Sequence, residues 1–134
     1  MAIYEVGQYR QSYEWSGKGL EYLQTIKKDI PPKELKEREY QLYHLMNGSL
    51  VKMPTTPENW QKLEEVKKIK MEMSHELYGS ESKQHCQDII NYSWQLYLNG
   101  KEYHSHIQKV DGILQKKETQ LNEGDKTTLS QLRK

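Results

Sequence analysis

The chain has 134 residues, a formal net charge of +1 and a single cysteine, Cys86. This length fits one domain, one cysteine excludes an intramolecular disulfide, and the near-neutral charge lacks the strongly basic character typical of dedicated DNA-binding domains. The N-terminus has no apolar signal sequence, and no run approaches the roughly 18 apolar residues of a membrane span, so we expect a cytoplasmic protein without membrane partners.

The aromatic usage is the most informative part of the composition. The chain contains ten tyrosines, three tryptophans and no phenylalanine. Tyrosine and tryptophan combine a large apolar body with a polar group, and both are enriched at interfaces. Only 34% of the residues are hydrophobic, which predicts a thin core that an oligomer or a partner would stabilise further. The composition favours binding over catalysis.

The N-terminal segment carries apolar residues at helical spacing with an interruption at Ser16-Gly17-Lys18-Gly19. Two interpretations remain: a helix kinked at the interruption, or a helix limited to residues 19–29. A glycine-rich turn before a helix can also hold phosphate, but this one lacks the P-loop spacing, so a turn or kink is favoured. Residues 1–8 are expected to form a flexible arm.

The second predicted helix begins at Pro32 and runs to about Asn47, with Gly48 as its C-cap. Residues 49–55 are a predicted connector. The inward stripe is Leu35, Leu42, Leu45 and Met46. A second face carries Lys36, Tyr40, Tyr43 and Asn47.

The clearest predicted helix lies between Thr56 and Gly79. Thr56 is a good N-cap, Pro57 suits the first helical position, and Gly79 suits a left-handed C-cap. Its apolar residues recur at helical spacing. The interleaved Glu and Lys side chains indicate a solvated face with ion pairs.

The next helix begins near Ser80 or Ser82. Its apolar stripe is Cys86, Ile89, Ile90, Ser93, Trp94 and Tyr97. The pattern resumes after Asn99-Gly100 in nearly the same phase, so residues 82–122 form either one long bent helix or two helices. We favour two helices, because Asn and Gly both weaken a helix interior. Gly124 is predicted to end the last long helix, with only a short frayed turn at Leu129 and Leu132.

These elements predict an all-α fold, an irregular bundle of four to five helices with a long central helix pair. We expect residues 1–134 to form a single helical domain, with a flexible arm at 1–8 and a frayed tail at 123–134.

The sequence shows no motif for catalysis, a metal or a cofactor. His104 and His106 are two apart, so on a helix they would point about 200° away from each other. His85 and Cys86 diverge by about 100°, which prevents His85 from activating the thiol. Cys86 lies on an apolar stripe, where a buried and inert thiol is usual. We therefore expect no enzyme activity, no metal and no cofactor.

Aromatic residues outside the apolar stripes are the candidate contacts for another protein. Tyr92 and Leu96 lie off the main stripe of their helix, which is then either a central helix surrounded by others or a helix with one side on a partner. The candidate protein-binding residues are Tyr40, Tyr43, Tyr92, Leu96 and Tyr103.

The N-terminal segment supplies the alternative, a nucleic-acid surface. Single-stranded nucleic acid is bound by aromatic rings interleaved with basic side chains. The candidate residues are Tyr9, Arg10, Tyr13, Trp15 and Lys18. Glu5, Glu14 and Glu21 lie among them and oppose this role.

The sequence therefore favours a non-enzymatic helical protein–protein interaction module, that is, an adaptor, inhibitor or regulatory subunit. Its expected partner is another protein or a second copy of the chain. The alternatives are a small nucleic-acid-binding regulator and, third, an enzyme of unknown type. The small size and absent motifs would suit an accessory protein of a bacterium or of a mobile element such as a phage.

Overall fold

The computed structural model of the protein is all-α, which confirms the predicted fold class. It describes residues 2–116 and 121–134, with side chains from Gly7 onwards. Six α-helices and one short 3-10 helix, with no strand, make up the described part of the chain. Contacts between these elements divide the chain into two compact units, Met1–Met73 and Ser74–Lys134.

The helices follow each other in chain order with short connectors. They are α1 (Ala2–Ile26), α2 (Pro32–Lys52), α3 (Pro57–Tyr78), α4 (Lys83–Leu98), α5 (His104–Lys116) and α6 (Glu123–Leu132). The 3-10 turn Lys27–Asp29 lies between α1 and α2.

Helix α1 passes through Ser16-Gly17-Lys18-Gly19 as continuous helix, so the interpretation that only residues 19–29 are helical was wrong. Gly19 lies where α1 approaches α2 closely. A Cβ atom on Gly19 would lie 3.1 Å from the side-chain methyls of Leu42, and glycine therefore lets α1 and α2 lie closer together. The helix begins at Ala2, so residues 2–8, which were expected to form a flexible arm, are helical.

Helix α2 begins at Pro32 as predicted, but it continues past Gly48 to Lys52. Gly48 is thus an interior helical residue, and its prediction as a C-cap was wrong. Burial explains the extension, because Leu50 is only 1% exposed and apolar burial stabilises this additional turn. The predicted inward orientation of Leu45 was also wrong, since this side chain is 55% exposed.

Helix α3 confirms the prediction for Thr56 to Gly79. The Asn59 N–H donates to the Thr56 hydroxyl at 3.1 Å, which is the expected N-cap bond. Gly79 has a φ of 100°, a conformation that favours glycine at the helix end.

The first unit has a core made by the facing sides of α2 and α3. Its buried members are Met46, Leu50, Leu63 and Val66. Side chains at its edge are half-buried, and α1 contributes two of them. They are Tyr13, Leu20, Tyr43, Met53 and Trp60.

The break at Asn99-Gly100 confirms that residues 82–122 do not form one helix. Ser82 caps α4, because its hydroxyl accepts the His85 N–H at 3.1 Å. Gly100 ends α4 with a φ of 73°. The first turn of α5 follows at His104.

Helix α4 is the central element of the second unit and contacts both α5 and α6. Its buried residues lie on more than one side of the helix. They are His85, Cys86, Asp88, Ile89, Ile90, Tyr92, Ser93, Gln95 and Leu96. This pattern is that of a helix surrounded by neighbours, one of the two interpretations proposed for Tyr92 and Leu96.

The C-terminal segment is a helix of ten residues rather than a short frayed turn. Asn122 caps it, because its side chain accepts the Asp125 N–H at 2.7 Å. Gly124 therefore lies in the first turn of α6, and its prediction as a helix terminator was wrong. Leu129 and Leu132 are 3% and 1% exposed, so apolar burial stabilises α6.

Charged and polar groups are buried beside the apolar core. Lys67 and Lys70 of α3 are 8% and 4% exposed, so placing Lys70 on the solvated face of this helix was wrong. The Lys70 ammonium lies 3.1 Å from His44 Nδ1 and 5.6 Å from the centre of the Tyr40 ring. Burial, with repulsion from Lys70 adding to it, lowers the pKa of Lys67 to about 8.

Lys67 should make the protein more stable at alkaline pH. An unfolded lysine titrates near about 10.4, so between about 8 and 10.4 the unfolded chain binds more protons than the folded one. The free energy of unfolding therefore rises with pH across this window, by about 3 kcal/mol for this group. Lys67→Met should be more stable than wild type by roughly 1–3 kcal/mol at about pH 7, and the difference should shrink towards about pH 10. Urea unfolding at both pH values measures this, with the exposed Lys68→Met as control; a pH-independent difference would contradict the assignment.

Two glycines should respond to alanine with opposite signs. Gly48→Ala should raise the free energy of unfolding by about 0.5–1 kcal/mol, because Gly48 is inside α2 and has space for a Cβ. Gly100→Ala should lower it by roughly 1–2 kcal/mol, because Gly100 has a left-handed backbone. Thermal unfolding followed by circular dichroism gives both values. Destabilisation by Gly48→Ala would show that α2 ends there after all.

Candidate functional site

A row of four rings crosses from the last turn of α4 to the first turn of α5. We call Trp94, Tyr97, Tyr103 and His104 the aromatic row. The ring centres of Trp94 and Tyr97 are 5.3 Å apart. Tyr97 meets Tyr103 edge-on at 5.8 Å, and Tyr103 stacks on His104 at 4.4 Å. These distances are typical of attractive aromatic pairs, so the four rings form one continuous cluster.

The backbone between the two helices fixes the position of this row. The Lys101 N–H donates to the Leu96 carbonyl at 2.8 Å, and the Gly100 N–H donates to the Tyr97 carbonyl at 3.1 Å. These two bonds, with left-handed Gly100, form a Schellman motif. The turn therefore ends α4 immediately after Tyr97 and Leu98. The chain turns there, so that Tyr103 lies beside Tyr97.

Glu102 binds His104, the ring at the α5 end of the row. Its carboxylate accepts the backbone N–H of His104 at 2.6 Å and lies 2.7 Å from the His104 ring Nδ1. The hydrogen bond from the His104 backbone, followed by the one from its ring, lowers the pKa of Glu102. The ionised carboxylate thus orients the imidazole that stacks on Tyr103.

The aromatic row is accessible. Tyr97 is 51% exposed, His104 is also exposed, and Trp94 and Tyr103 are half-buried. The sequence pattern predicted that Trp94 and Tyr97 both lie on a core stripe. For Tyr97 this was wrong, because it lies in the last turn of α4 and contacts Trp94 and Tyr103 instead of the buried core. Its position just before Asn99-Gly100 was the sequence signal for that exposure.

Tyr40 and Tyr43 do not form the second exposed face predicted for α2. Tyr40 is only 6% exposed and lies under the Lys70 ammonium. Tyr43 packs against the core of the first unit, and burial, followed by the nearby Glu39, raises the pKa of its hydroxyl. The correction has a simple cause: α2 is covered on the side that carries these rings, and amphipathic tyrosines replace phenylalanine there.

Tyr92 and Leu96 are buried too, at 8% and 5% exposure. The Tyr92 ring meets the His106 ring edge-on at 5.3 Å. Neither side chain is presented to a partner in this fold. Tyr103, in contrast, belongs to the aromatic row.

The predicted nucleic-acid residues separate into different places on α1. Trp15 is 63% exposed, and the Lys18 ammonium lies 5.5 Å from its ring centre. Tyr9 is half-buried and Arg10 exposed. Because positions 13 and 15 diverge by about 200° on a helix, Tyr13 and Trp15 do not share a face.

Arg10 and Tyr13 line a small cleft of about 230 Å³. The Lys62 ammonium lies 5.5 Å from the Tyr13 ring centre. Glu14 and Glu58 line the same cleft and offset the positive charge that a phosphate backbone requires.

Cys86 is buried at 0% exposure. Burial, with Asp125 contributing less, raises the pKa of its thiol to about 11. Since the thiolate is the nucleophile, the thiol is in its unreactive form near neutral pH. Among the described residues no group of three or more His, Cys, Asp or Glu side chains is placed to hold a metal ion.

Comparison with known proteins gives no match: no family model, no curated protein and no solved structure is similar to this chain. Within residues 2–116 and 121–134, no helix has both the length and the apolar character needed to cross a membrane.

Cys86 should resist alkylation in the folded protein. At about pH 8 a thiol with its pKa near 11 is about 0.1% ionised, and burial blocks access as well. A maleimide or disulfide reagent should therefore react at least about 100-fold more slowly with native protein than with protein in denaturant. Stopped-flow absorbance measures both rates; equal rates would show an accessible thiol.

Proposed function

We propose that the protein is a non-enzymatic protein–protein interaction module that binds its partner through the aromatic row. The observation that carries this proposal is the contiguous cluster of Trp94, Tyr97, Tyr103 and His104, with Tyr97 half-exposed. Tyrosine and tryptophan dominate the residues whose truncation most weakens protein interfaces.

The rigidity of the row supports this role. The Schellman motif at Gly100 fixes the turn between Tyr97 and Tyr103, and the Glu102–His104 bonds hold the His104 end of the cluster. A preorganised contact surface loses less side-chain entropy on binding. The polar atoms at the ring edges can bond across an interface while the ring bodies exclude water.

The surroundings favour a protein over a nucleic acid at this surface. Lys101 and Glu102 lie side by side in the connector, so their charges offset each other. A nucleic-acid surface would need an excess of cations. The partner we propose is another protein whose contact face has apolar and hydrogen-bonding groups together.

Tyr97→Ala should abolish most partner binding while leaving the helical content unchanged. Loss of a central interface tyrosine typically lowers affinity about 30-fold, roughly 2 kcal/mol. Wild type, Tyr97→Ala and Tyr22→Ala are used as baits in the same host lysate, and proteins recovered by wild type are identified by mass spectrometry. Binding of the recombinant partner to each variant is then measured by calorimetry.

Tyr22 is the matched control because it is a helical tyrosine with 62% exposure and lies outside the aromatic row. Tyr22→Ala should bind like wild type. Equal binding by Tyr97→Ala and wild type would refute the proposal. Light scattering over a range of concentrations tests whether the partner is a second copy of the chain. In that case the apparent mass of wild type rises with concentration, and this rise disappears in Tyr97→Ala.

The nucleic-acid alternative rests on exposed Trp15 with Lys18 over its ring. Sequencing nucleic acid from the same eluates separates the two functions. Recovery that falls steeply with salt and is lost in Trp15→Ala, but not in Tyr97→Ala, would assign the function to α1 instead.

A further inference from the structure

The second unit contains a cleft of about 590 Å³ that shares no residue with the aromatic row. We call it the histidine cleft. One wall is a single face of α5, made by Lys109, Gly112, Ile113 and Lys116. The spacing i, i+3, i+4 and i+7 places all four on one side of the helix. The volume is within the range of about 300–1,000 Å³ that ligand pockets have.

The residues that α3 and α4 contribute to the cleft include two imidazoles. His75, in the last turn of α3, meets His85 of α4 edge-on at 5.1 Å between ring centres. The Nδ1 atom of His85 lies 3.1 Å from the hydroxyl of fully buried Ser74. His85 is only 9% exposed, so its ring orientation is fixed before any ligand arrives.

The charges along the cleft favour an anion. Lys109 and Lys116 are exposed cations on α5, and Glu81 is the carboxylate among the lining residues. Between the two lysines the floor is apolar, because Ile113 of α5 and Ile89 of α4 line it. A ligand with an apolar body and an anionic group matches both parts of this surface.

Gly112 indicates that the space in front of α5 is kept open. An interior helical glycine costs about 0.5–1 kcal/mol relative to alanine. Gly112 has no positive φ, and a Cβ added there would meet no described atom within 4 Å. Neither backbone conformation nor close packing requires glycine at this position, whereas a larger side chain would project from the face that lines the cleft.

We propose that the histidine cleft binds a small organic anion, with its apolar body against Ile89 and Ile113 and its carboxylate or phosphate group held by the lysines and imidazoles. Charge-assisted hydrogen bonds from the ammonium groups of Lys109 and Lys116 to anionic oxygens supply the selectivity. This proposal is independent of the aromatic row and of its partner.

Four probes of similar size test the sign of the charge: phenylacetate, phenyl phosphate, benzyl alcohol and phenethylamine. Binding is followed by NMR on the methyl groups of Ile89 and Ile113 and on the amide of Gly112. The anions should bind at least about tenfold more tightly than the alcohol and the amine. Tighter binding of phenyl phosphate than of phenylacetate identifies phosphate as the preferred group, and the reverse identifies carboxylate.

Gly112→Leu should abolish binding by occupying the cleft, and Gly112→Ala is the matched control that adds only one carbon. Lys116→Gln changes an exposed side chain and should weaken anion binding about tenfold without affecting the alcohol, which keeps the test decisive if Gly112→Leu does not fold. The proposal is overturned if anions produce no shifts at the cleft, if phenethylamine binds equally well, or if Lys116→Gln binds both anions like wild type.

Discussion

The left-handed turn at Gly100 is the constraint on which the second unit depends. This turn ends α4 and leads into α5. The position of α5 that results forms part of two different surfaces. Near the turn, Tyr103 and His104 join Trp94 and Tyr97. Further along α5, Lys109 to Lys116 form one wall of the histidine cleft. A continuous helix over residues 82–122 would have placed Tyr103 about 9 Å farther along the axis than Tyr97, out of ring contact.

The low apolar content is balanced by polar groups inside the fold. Tyr40 and Tyr92 are buried where phenylalanine would serve in a more apolar core, and the polar side chains Lys67, Lys70 and His85 are buried as well. Buried polar groups need partners because desolvation is costly. The Lys70–His44 and Ser74–His85 contacts provide such partners. Polar contacts of this kind specify one arrangement of neighbours more sharply than interchangeable apolar contacts do.

Local signals in the sequence predicted the ends of helices well where a side-chain hydroxyl caps the helix or a left-handed glycine ends it. Thr56, Ser82, Gly79 and Gly100 all act as the sequence indicates. The same reasoning was wrong for Gly48 and Gly124, because a glycine ends a helix only where tertiary burial does not continue it. Leu50, Leu129 and Leu132 supply that burial, and it depends on neighbours far away in the chain. For the same reason periodicity could not separate buried Tyr40 from exposed Tyr97.

The two surfaces of α5 illustrate how a short amphipathic helix can have more than one role. Ile107, Val110 and Ile113 are buried and attach α5 to its unit. Lys109, Gly112 and Lys116 lie beside that stripe and leave the histidine cleft open. Periodicity predicts Ile107 and Val110 of the buried stripe, because apolar residues recur every three or four positions. Periodicity does not predict the cleft, because the role of Gly112 between Lys109 and Lys116 depends on His75 and His85, which come from other helices. The cleft could therefore be found only in three dimensions, whereas Ile107 and Val110, which anchor α5, were predicted from the sequence.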